Sequence, residues 1–159
     1  MIHIEKGPEP EAFRQWKEQN PEATYGEMPR EVGLALRNAL LEEQGFVCCF
    51  CGCAIGPFDD KGEIDQIPLE SIRPHNIRNA HIVPQSKDTA KTLDYGNLCA
   101  SCNTSRHTKD DKHCDETQGN RELPVSPLQK DCISYFSFGS DGEILANPKL
   151  TEEEQEKAF

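Results

Sequence analysis

Two closely spaced pairs of cysteines constrain the fold of this chain more than any other feature. Cys48 and Cys51 form the first pair, Cys99 and Cys102 form the second, and Cys114 follows further along the chain. Two thiolates separated by two residues can occupy adjacent corners of a zinc tetrahedron. The sequence therefore predicts a small fold that is stabilised by a bound zinc ion.

Metal binding is the better interpretation of the high cysteine content. The chain has 8 cysteines among 159 residues, and residues 1–6 lack the charged-then-apolar pattern of a secretory signal. No apolar run approaches the roughly 18 residues that a membrane-spanning helix needs. We therefore expect a cytoplasmic protein without membrane association. In a reducing cytosol, clustered cysteines bind metals more often than they form disulfides.

Spacing alone leaves the zinc ligands open. Cys48 with Cys51 has the two-residue spacing, but Cys49 with Cys53 is separated by three residues and is a second option. For the other half of the site, spacing favours Cys99 with Cys102. The cysteines that do not bind metal would be small buried or exposed thiols.

The acidic charge of the chain argues against general binding of nucleic acid. The net charge is −11, and binding to a phosphate backbone depends on lysine and arginine. Residues 1–71 carry 6 basic and 14 acidic side chains, residues 72–130 carry 9 and 7, and residues 131–159 carry 2 and 7. Only the weakly basic middle segment could approach a phosphate backbone. We therefore expect another molecule to supply much of any DNA affinity.

The periodicity of apolar residues predicts two helices before the first cysteine pair. Residues 8–20 place Phe13 and Trp16 on one face of a short helix. Residues 29–44 predict a second helix, with Gly45 just past its end. The apolar stripe of this second helix consists of Val32, Leu36, Leu40 and Leu41.

Two short strands and a hairpin are predicted after the first cysteine pair. Residues 78–83 alternate enough to be a strand, residues 86–92 are polar and predict a loop, and residues 95–98 predict the returning strand. Residues 131–145 predict a second hairpin, and residues 151–159 predict an acidic helix or tail.

A histidine lies between the two cysteine pairs, at the start of the segment His-Ile-Val-Pro-Gln. Hydrolysis of a phosphodiester needs a base that activates water and a cation that stabilises the phosphate and the leaving oxygen. An imidazole with its ordinary pKa of about 6.5 is neutral near pH 7 and can accept that proton. We predict that His81 is a general base held on a metal-stabilised frame.

Several short segments, taken in order, match the pattern of one nuclease family. They are residues 4–10, 48–51, 81–86, 93–98, 100–103, 113–115 and 141–144. Together they resemble the HNH nucleases, most closely the PtuB-like HNH proteins of bacterial Septu and retron antiphage defence systems. The resemblance implies an α+β fold with a zinc-stabilised ββα-metal core, N-terminal helices and a C-terminal hairpin.

The resemblance also implies one HNH domain over residues 1–159. Its N-terminal helical segment would cover residues 1–45, the zinc-bound core residues 46–120, and the hairpin and tail residues 121–159. The zinc ligands implied by the resemblance are Cys48, Cys51, Cys102 and Cys114, with Cys99 as a reserve.

Catalytic roles are likewise implied by the resemblance. His81 would be the general base, and Asn97 would fix the returning strand and orient the loop and the histidine. The third position of the HNH pattern has four candidates, His113, Asp115, Asn103 and His107, and is assigned to His113. Asp115 and Asn103 are also candidate ligands of a divalent metal. Oxygen ligands favour Mg²⁺ or Mn²⁺ as that metal.

The function implied by the resemblance is hydrolysis of phage or other foreign DNA by a metal-dependent endonuclease. The protein would be the nuclease effector of a defence complex with a PtuA-like ATPase subunit. An alternative is a zinc-stapled protein-interaction module with weak or absent catalysis. Two positions favour this alternative. Ala80 stands where many relatives have an acidic residue, and Gln118 stands where relatives often have lysine.

Overall fold

The computed structural model describes residues 1–56, 77–102, 113–141 and 143–157. These residues form a small α+β structure with four α-helices and two antiparallel two-stranded sheets. The helices are α1 (Glu11–Gln19), α2 (Arg30–Glu43), α3 (Asp115–Gln118) and α4 (Glu152–Lys157). One sheet pairs β1 (Ile77–His81) with β2 (Leu98–Cys102), and the other pairs β3 (Phe136–Phe138) with β4 (Ile144–Ala146).

Helix α1 begins three residues later than the sequence predicted. Pro10 has an extended backbone with φ −64° and ψ 135°, and the helix begins at Glu11. The residue before this proline lies outside the helix because a following proline disfavours the helical conformation. At the other end, Asn20 Nδ2 donates to the carbonyl of Trp16 at 2.8 Å. The predicted burial of Phe13 and Trp16 is confirmed.

Helix α2 begins and ends one residue inside its predicted range. Its predicted apolar stripe is confirmed, because all four residues are buried: Val32, Leu36, Leu40 and Leu41. Gly45 follows the helix with φ +61°, a left-handed conformation that glycine adopts without strain. The stripe packs α2 against both α1 and β2.

The two central strands are shifted from their predicted positions, although they pair in the predicted antiparallel manner. β1 ends at His81, two residues earlier than predicted. The next backbone groups bond outside the ladder, since Val83 N–H donates to Oδ1 of Asn97 at 2.7 Å. β2 begins at Leu98, where the predicted returning strand should have ended. The reason is that the Asp94 carboxylate caps a short 3-10 helix over the three preceding residues.

One apolar cluster joins the N-terminal helices to the central sheet. It includes Phe13, Trp16, Leu36, Leu40, Ile77, Leu98, Ala100 and Cys102. A smaller second cluster contains Ile4, Cys49, Ile82 and Cys99. Successive residues of β2 enter different clusters because side chains alternate between the two faces of a strand. The helical segment and the cysteine-rich part of the chain therefore share one core.

The C-terminal hairpin is present but shorter than predicted. The first predicted residues form a 3-10 helix, Cys132–Tyr135, before β3 begins. Phe138 and Ile144 are opposite each other in the register and remain 63% and 47% exposed. The predicted acidic helix is observed as α4. No helix in the described part of the chain is both long and apolar enough to cross a membrane.

A buried glutamine at the end of α2 bonds to the central sheet. Gln44 Nε2 donates to the carbonyls of Val47 and Ala100, both at 2.9 Å, and its Oε1 accepts the Ala100 N–H at 2.6 Å. The side-chain amide thus pairs with β2 as a neighbouring strand would. This residue connects α2, the first cysteine turn and the sheet.

We predict that Gln44→Ala lowers the free energy of unfolding by about 2–4 kcal/mol, because it leaves buried backbone groups without partners. Urea denaturation of the metal-loaded protein measures the change. Gln15→Ala is the matched control. Its exposed amide bonds only to Glu11, so its effect should stay within about 0.5 kcal/mol. Equal effects of the two substitutions would contradict the prediction.

Candidate metal centre and histidine cleft

The first cysteine pair lies on a tight turn. Cys48 N–H donates to the Cys53 carbonyl at 2.9 Å, and Gly52 N–H donates to the Cys48 carbonyl at 2.9 Å. Gly52 has φ +71°, which lets the chain reverse immediately after Cys51. The turn holds the sulfur atoms of Cys48 and Cys51 within 4.8 Å of each other.

Two other parts of the chain complete a cluster of four cysteines. Cys102 is the last residue of β2, and Cys114 immediately precedes α3. All four sulfurs lie within 4.8 Å of one another, and those of Cys51 and Cys102 are 3.9 Å apart. Zinc–sulfur bonds of about 2.3 Å in a tetrahedron separate the sulfurs by roughly 3.8 Å. The four cysteines could therefore hold a metal ion such as zinc.

The structure thus brings together the four cysteines that the resemblance selected, and it separates the reserve ligand from them. Cys99 is fully buried in the second apolar cluster, whereas Cys102 lies in the first. Cys49 is buried beside Cys99 in the second cluster. Cys53 is exposed, with its sulfur 3.2 Å from that of Cys51 but outside the group of four.

Hydrogen bonding and burial shift the pKa values of the thiols in the cluster in different directions. A hydrogen bond with the Cys114 thiol lowers the pKa of Cys48, and the same hydrogen bond raises the pKa of Cys114. Burial, followed by the nearby charge of Cys48, raises the pKa of Cys102. Four thiolates in this space would repel one another, so a bound dication is what would allow all of them to ionise.

His113 lies beside the cysteine cluster. Its Nδ1 is 3.0 Å from the sulfur of Cys114 and 3.7 Å from that of Cys102. It does not line the cleft that contains His81. The structure therefore does not bring together the two histidines that the sequence analysis assigned to catalysis. Asn103 and His107 lie outside the described residues.

We predict that Cys102→Ser abolishes zinc binding, because a hydroxyl is a poor substitute for a thiolate ligand. Elemental analysis should find about one zinc ion per chain in the wild type and none in the variant. A strong chelator should reproduce the loss and unfold the central unit. Cys53→Ser is the control and should retain the metal. Zinc retained by Cys102→Ser would contradict the assignment.

His81 is a buried residue at the end of β1 whose two ring nitrogens have different partners. Nε2 is 3.1 Å from the carbonyl oxygen of Thr92. A carbonyl oxygen only accepts, so Nε2 carries the proton and Nδ1 is the acceptor in the neutral ring. Gln85 Nε2 is 3.3 Å from Nδ1, and Tyr25 meets the ring edge-on with centroids 4.7 Å apart. Burial lowers the pKa of His81, which favours this neutral form.

His81 lines a polar cleft of about 430 Å³. The lining residues include Tyr25, Arg37, Arg78, Asn79, Gln85, Asp115 and Asn120. Asp115 is the one carboxylate among the described lining residues, and burial raises its pKa. Arg78 Nη1 lies 3.7 Å from Asp115 Oδ2, and Arg78 Nη2 lies 3.1 Å from Glu116 Oε1. The cleft therefore combines an imidazole acceptor, a carboxylate and two guanidinium groups.

Asn97 is buried and bonds to the loop that follows His81. Its Oδ1 accepts the Val83 N–H at 2.7 Å, and its Nδ2 donates to the carbonyls of Val83 at 3.0 Å and Lys91 at 3.1 Å. Asn97 does not line the cleft. These contacts agree with the predicted orienting role, because they hold both ends of the loop that carries Gln85 and leads to Thr92.

We predict that Asn97→Ala specifically exposes the Val83 amide and lowers the free energy of unfolding by about 1–3 kcal/mol, since buried polar groups lose partners. Hydrogen exchange provides the measurement. The neighbouring Ile82 N–H bonds to the backbone carbonyl of residue 97 at 3.0 Å and is an internal control. Its protection should survive while that of Val83 falls. Equal loss at both amides would indicate general unfolding instead.

Two positions that the sequence analysis cited in favour of an interaction module have structural roles here. Ala80 is fully buried and opposite Cys99 in the sheet, so a carboxylate at this position would be buried. Gln118 is also buried, and its Nε2 donates to the Ile82 carbonyl at 2.8 Å. It joins α3 to the end of β1 and does not line the cleft.

Sequence reasoning missed contributors to the cleft and to the surroundings of His81. Tyr25 and Arg37 line the cleft from the N-terminal segment, to which the sequence analysis assigned no site residue. Arg37 precedes Leu41 by one helical turn, so its position beside the apolar stripe was a usable signal. The Thr92 contact is made by a backbone carbonyl, and no residue type reveals that.

The comparisons with known proteins assign no family. No protein-family model matches the chain, and no curated protein matches it significantly.

Proposed function

We propose that the chain is a metal-dependent endonuclease of the HNH type that hydrolyses phosphodiester bonds in DNA. The observation that carries the proposal is the arrangement of His81. Its Nε2 donates to the Thr92 carbonyl, and its Nδ1 is left as an acceptor beside Gln85 in the cleft. A fixed tautomer with one acceptor nitrogen, which the Gln85 amide can leave to a water molecule, is what a general base requires.

In the proposed reaction, Nδ1 of His81 accepts a proton from a water molecule while the water oxygen attacks phosphorus. The bond between phosphorus and the leaving oxygen then breaks, and solvent returns a proton to that oxygen. The Thr92 carbonyl holds the ring and favours the imidazolium that forms, because the hydrogen bond that it accepts from Nε2–H is stronger when the ring is charged. Gln85 is exposed, so its side chain can give way to the water.

The arrangement of the elements supports an HNH-type ββα unit. β1 and β2 form an antiparallel pair, and α3 packs against β1. Cys102 ends β2 and Cys114 precedes α3, so a zinc ion in the cluster would hold both elements together. Asp115 follows Cys114 directly. The structural zinc would therefore fix the position of this carboxylate in the cleft.

Asp115 would hold the catalytic cation in this proposal. A bound Mg²⁺ or Mn²⁺ would neutralise charge on the phosphate and the leaving oxygen. Mg²⁺ sites of this kind use one or two carboxylates together with water and substrate phosphate, so a single described carboxylate fits such a site. Asn103, the other predicted ligand, lies outside the described residues.

The proposal extends to antiphage defence through the resemblance to PtuB-like proteins. The partner would be a PtuA-like ATPase subunit, and the substrate would be phage or other foreign DNA. The net charge of −11 supports a division of roles in which the partner supplies much of the DNA affinity. The nuclease chain would then contribute the cleft and its chemistry.

We predict that His81→Ala reduces plasmid nicking at least 100-fold, within the range of about 10²–10⁴ expected for loss of a general base. The assay uses the chain with the ATPase partner, with and without Mg²⁺. His3→Ala is the matched control, because His3 does not line the cleft. Circular dichroism and zinc content establish that both variants are folded.

Persistent cutting by the His81→Ala variant would remove His81 from the chemistry. Absence of nicking by the wild type with its partner, with either cation present, would favour the alternative. The chain would then be a zinc-stapled interaction module.

A further inference from the structure

Arg37 on helix α2 is a half-buried cation without an anionic partner among the described residues. Its Nε is buried with no hydrogen-bond partner, and no carboxylate in the described part of the chain forms an ion pair with it. Several described basic residues are paired: Lys6 with Glu43, Lys17 with Glu9, Arg14 with Glu11 and Glu18, Lys91 with Asp88, and Arg78 with Asp115 and Glu116. Other basic residues that form no ion pair with a described carboxylate, such as Arg30, Lys87 and Lys130, are exposed, whereas Arg37 is half-buried.

The position of Arg37 costs free energy in the absence of a ligand. Burial lowers the pKa of its guanidinium, and the titratable phenol of Tyr25 opposes this shift. A guanidinium nevertheless stays protonated in proteins, so the charge remains and no described carboxylate compensates it. Such a group is stabilised when an anion enters and accepts its fork of N–H donors.

An anion bound by Arg37 would lie in the cleft that contains His81. Arg37 and Tyr25 line it from the N-terminal part of the chain, whereas His81 and Asp115 line it from β1 and α3. The pKa of Tyr25 is raised by burial, so its hydroxyl stays neutral and does not compete with an incoming anion. Arg78, the other guanidinium of the cleft, is already engaged by Asp115 and Glu116.

We propose that Arg37 binds a backbone phosphate of the nucleic acid in the cleft that it lines together with His81 and Asp115. This inference rests on the proposed function for the choice of a nucleic-acid phosphate as the anion. It assigns a substrate-binding role to α2, an element outside the ββα unit. The guanidinium would donate hydrogen bonds to the phosphate oxygens and hold the phosphate beside the imidazole.

The test measures binding of a short fluorescent duplex DNA to the full chain by anisotropy, without added Mg²⁺ or Mn²⁺. Arg37→Gln should weaken binding about tenfold, in keeping with the loss of one charged hydrogen-bond contact. It should also reduce the slope of log affinity against log salt by about 0.9, the contribution of one phosphate. Arg37→Lys should restore the salt slope, because it keeps the charge.

Arg14→Gln is the matched control. It removes the same charge from an exposed arginine on α1 that pairs with Glu11 and Glu18 outside the cleft. It should leave affinity and salt slope almost unchanged.

Thermal unfolding adds a second readout. Arg37→Gln should unfold at the same temperature as the wild type or higher, because it removes an uncompensated charge.

Equal affinity and salt slope in the wild type and Arg37→Gln would overturn the inference, whatever the nicking assay gives. A lack of measurable duplex binding by the wild type would overturn it as well. Binding that depends on Arg37 in a protein that does not nick DNA would support the inference while the endonuclease proposal fails. The two ideas can therefore fail separately.

Discussion

The convergence of four thiols from three parts of the chain is the constraint on which the central unit depends. Cys48 and Cys51 come from a turn, Cys102 ends β2 and Cys114 precedes α3. Structural zinc in such clusters contributes roughly 10–16 kcal/mol of apparent binding energy. That is as large as the whole stability of a typical domain. A zinc ion bound by these four cysteines would therefore let a small core support short strands and a helix of a single turn.

Side-chain amides replace missing strand partners around this unit. Gln44 pairs with the backbone of Ala100 on the outer edge of β2, and Asn97 pairs with the backbone of Val83 after β1 ends. Each amide offers one donor and one acceptor group, as a peptide unit does. A two-stranded sheet is marginal alone, and these bonds connect it to α2 and to the following loop.

The cleft has more positive charge than the strongly acidic chain as a whole would suggest. The molecule is strongly acidic, yet two guanidinium groups line the cleft, and only one of them is paired with carboxylates in the described part of the chain. Burial favours the neutral form of the His81 ring, and the carbonyl of Thr92 fixes its tautomer. An anionic substrate would meet attraction at this place and repulsion over much of the remaining surface.

Local patterns determined helices α1 and α2, the apolar stripe of α2 and the presence of cysteines that could bind a metal, because periodicity and spacing act over a few residues. The choice between Cys99 and Cys114 was decided by tertiary structure, since Cys99 is buried in the second apolar cluster and the sulfur of Cys114 lies with those of Cys48, Cys51 and Cys102. Folding likewise placed Arg37 and Asp115 in the lining of one cleft and the Thr92 carbonyl beside His81. Such contacts join residues far apart in sequence or involve backbone atoms, so residue types alone do not predict them.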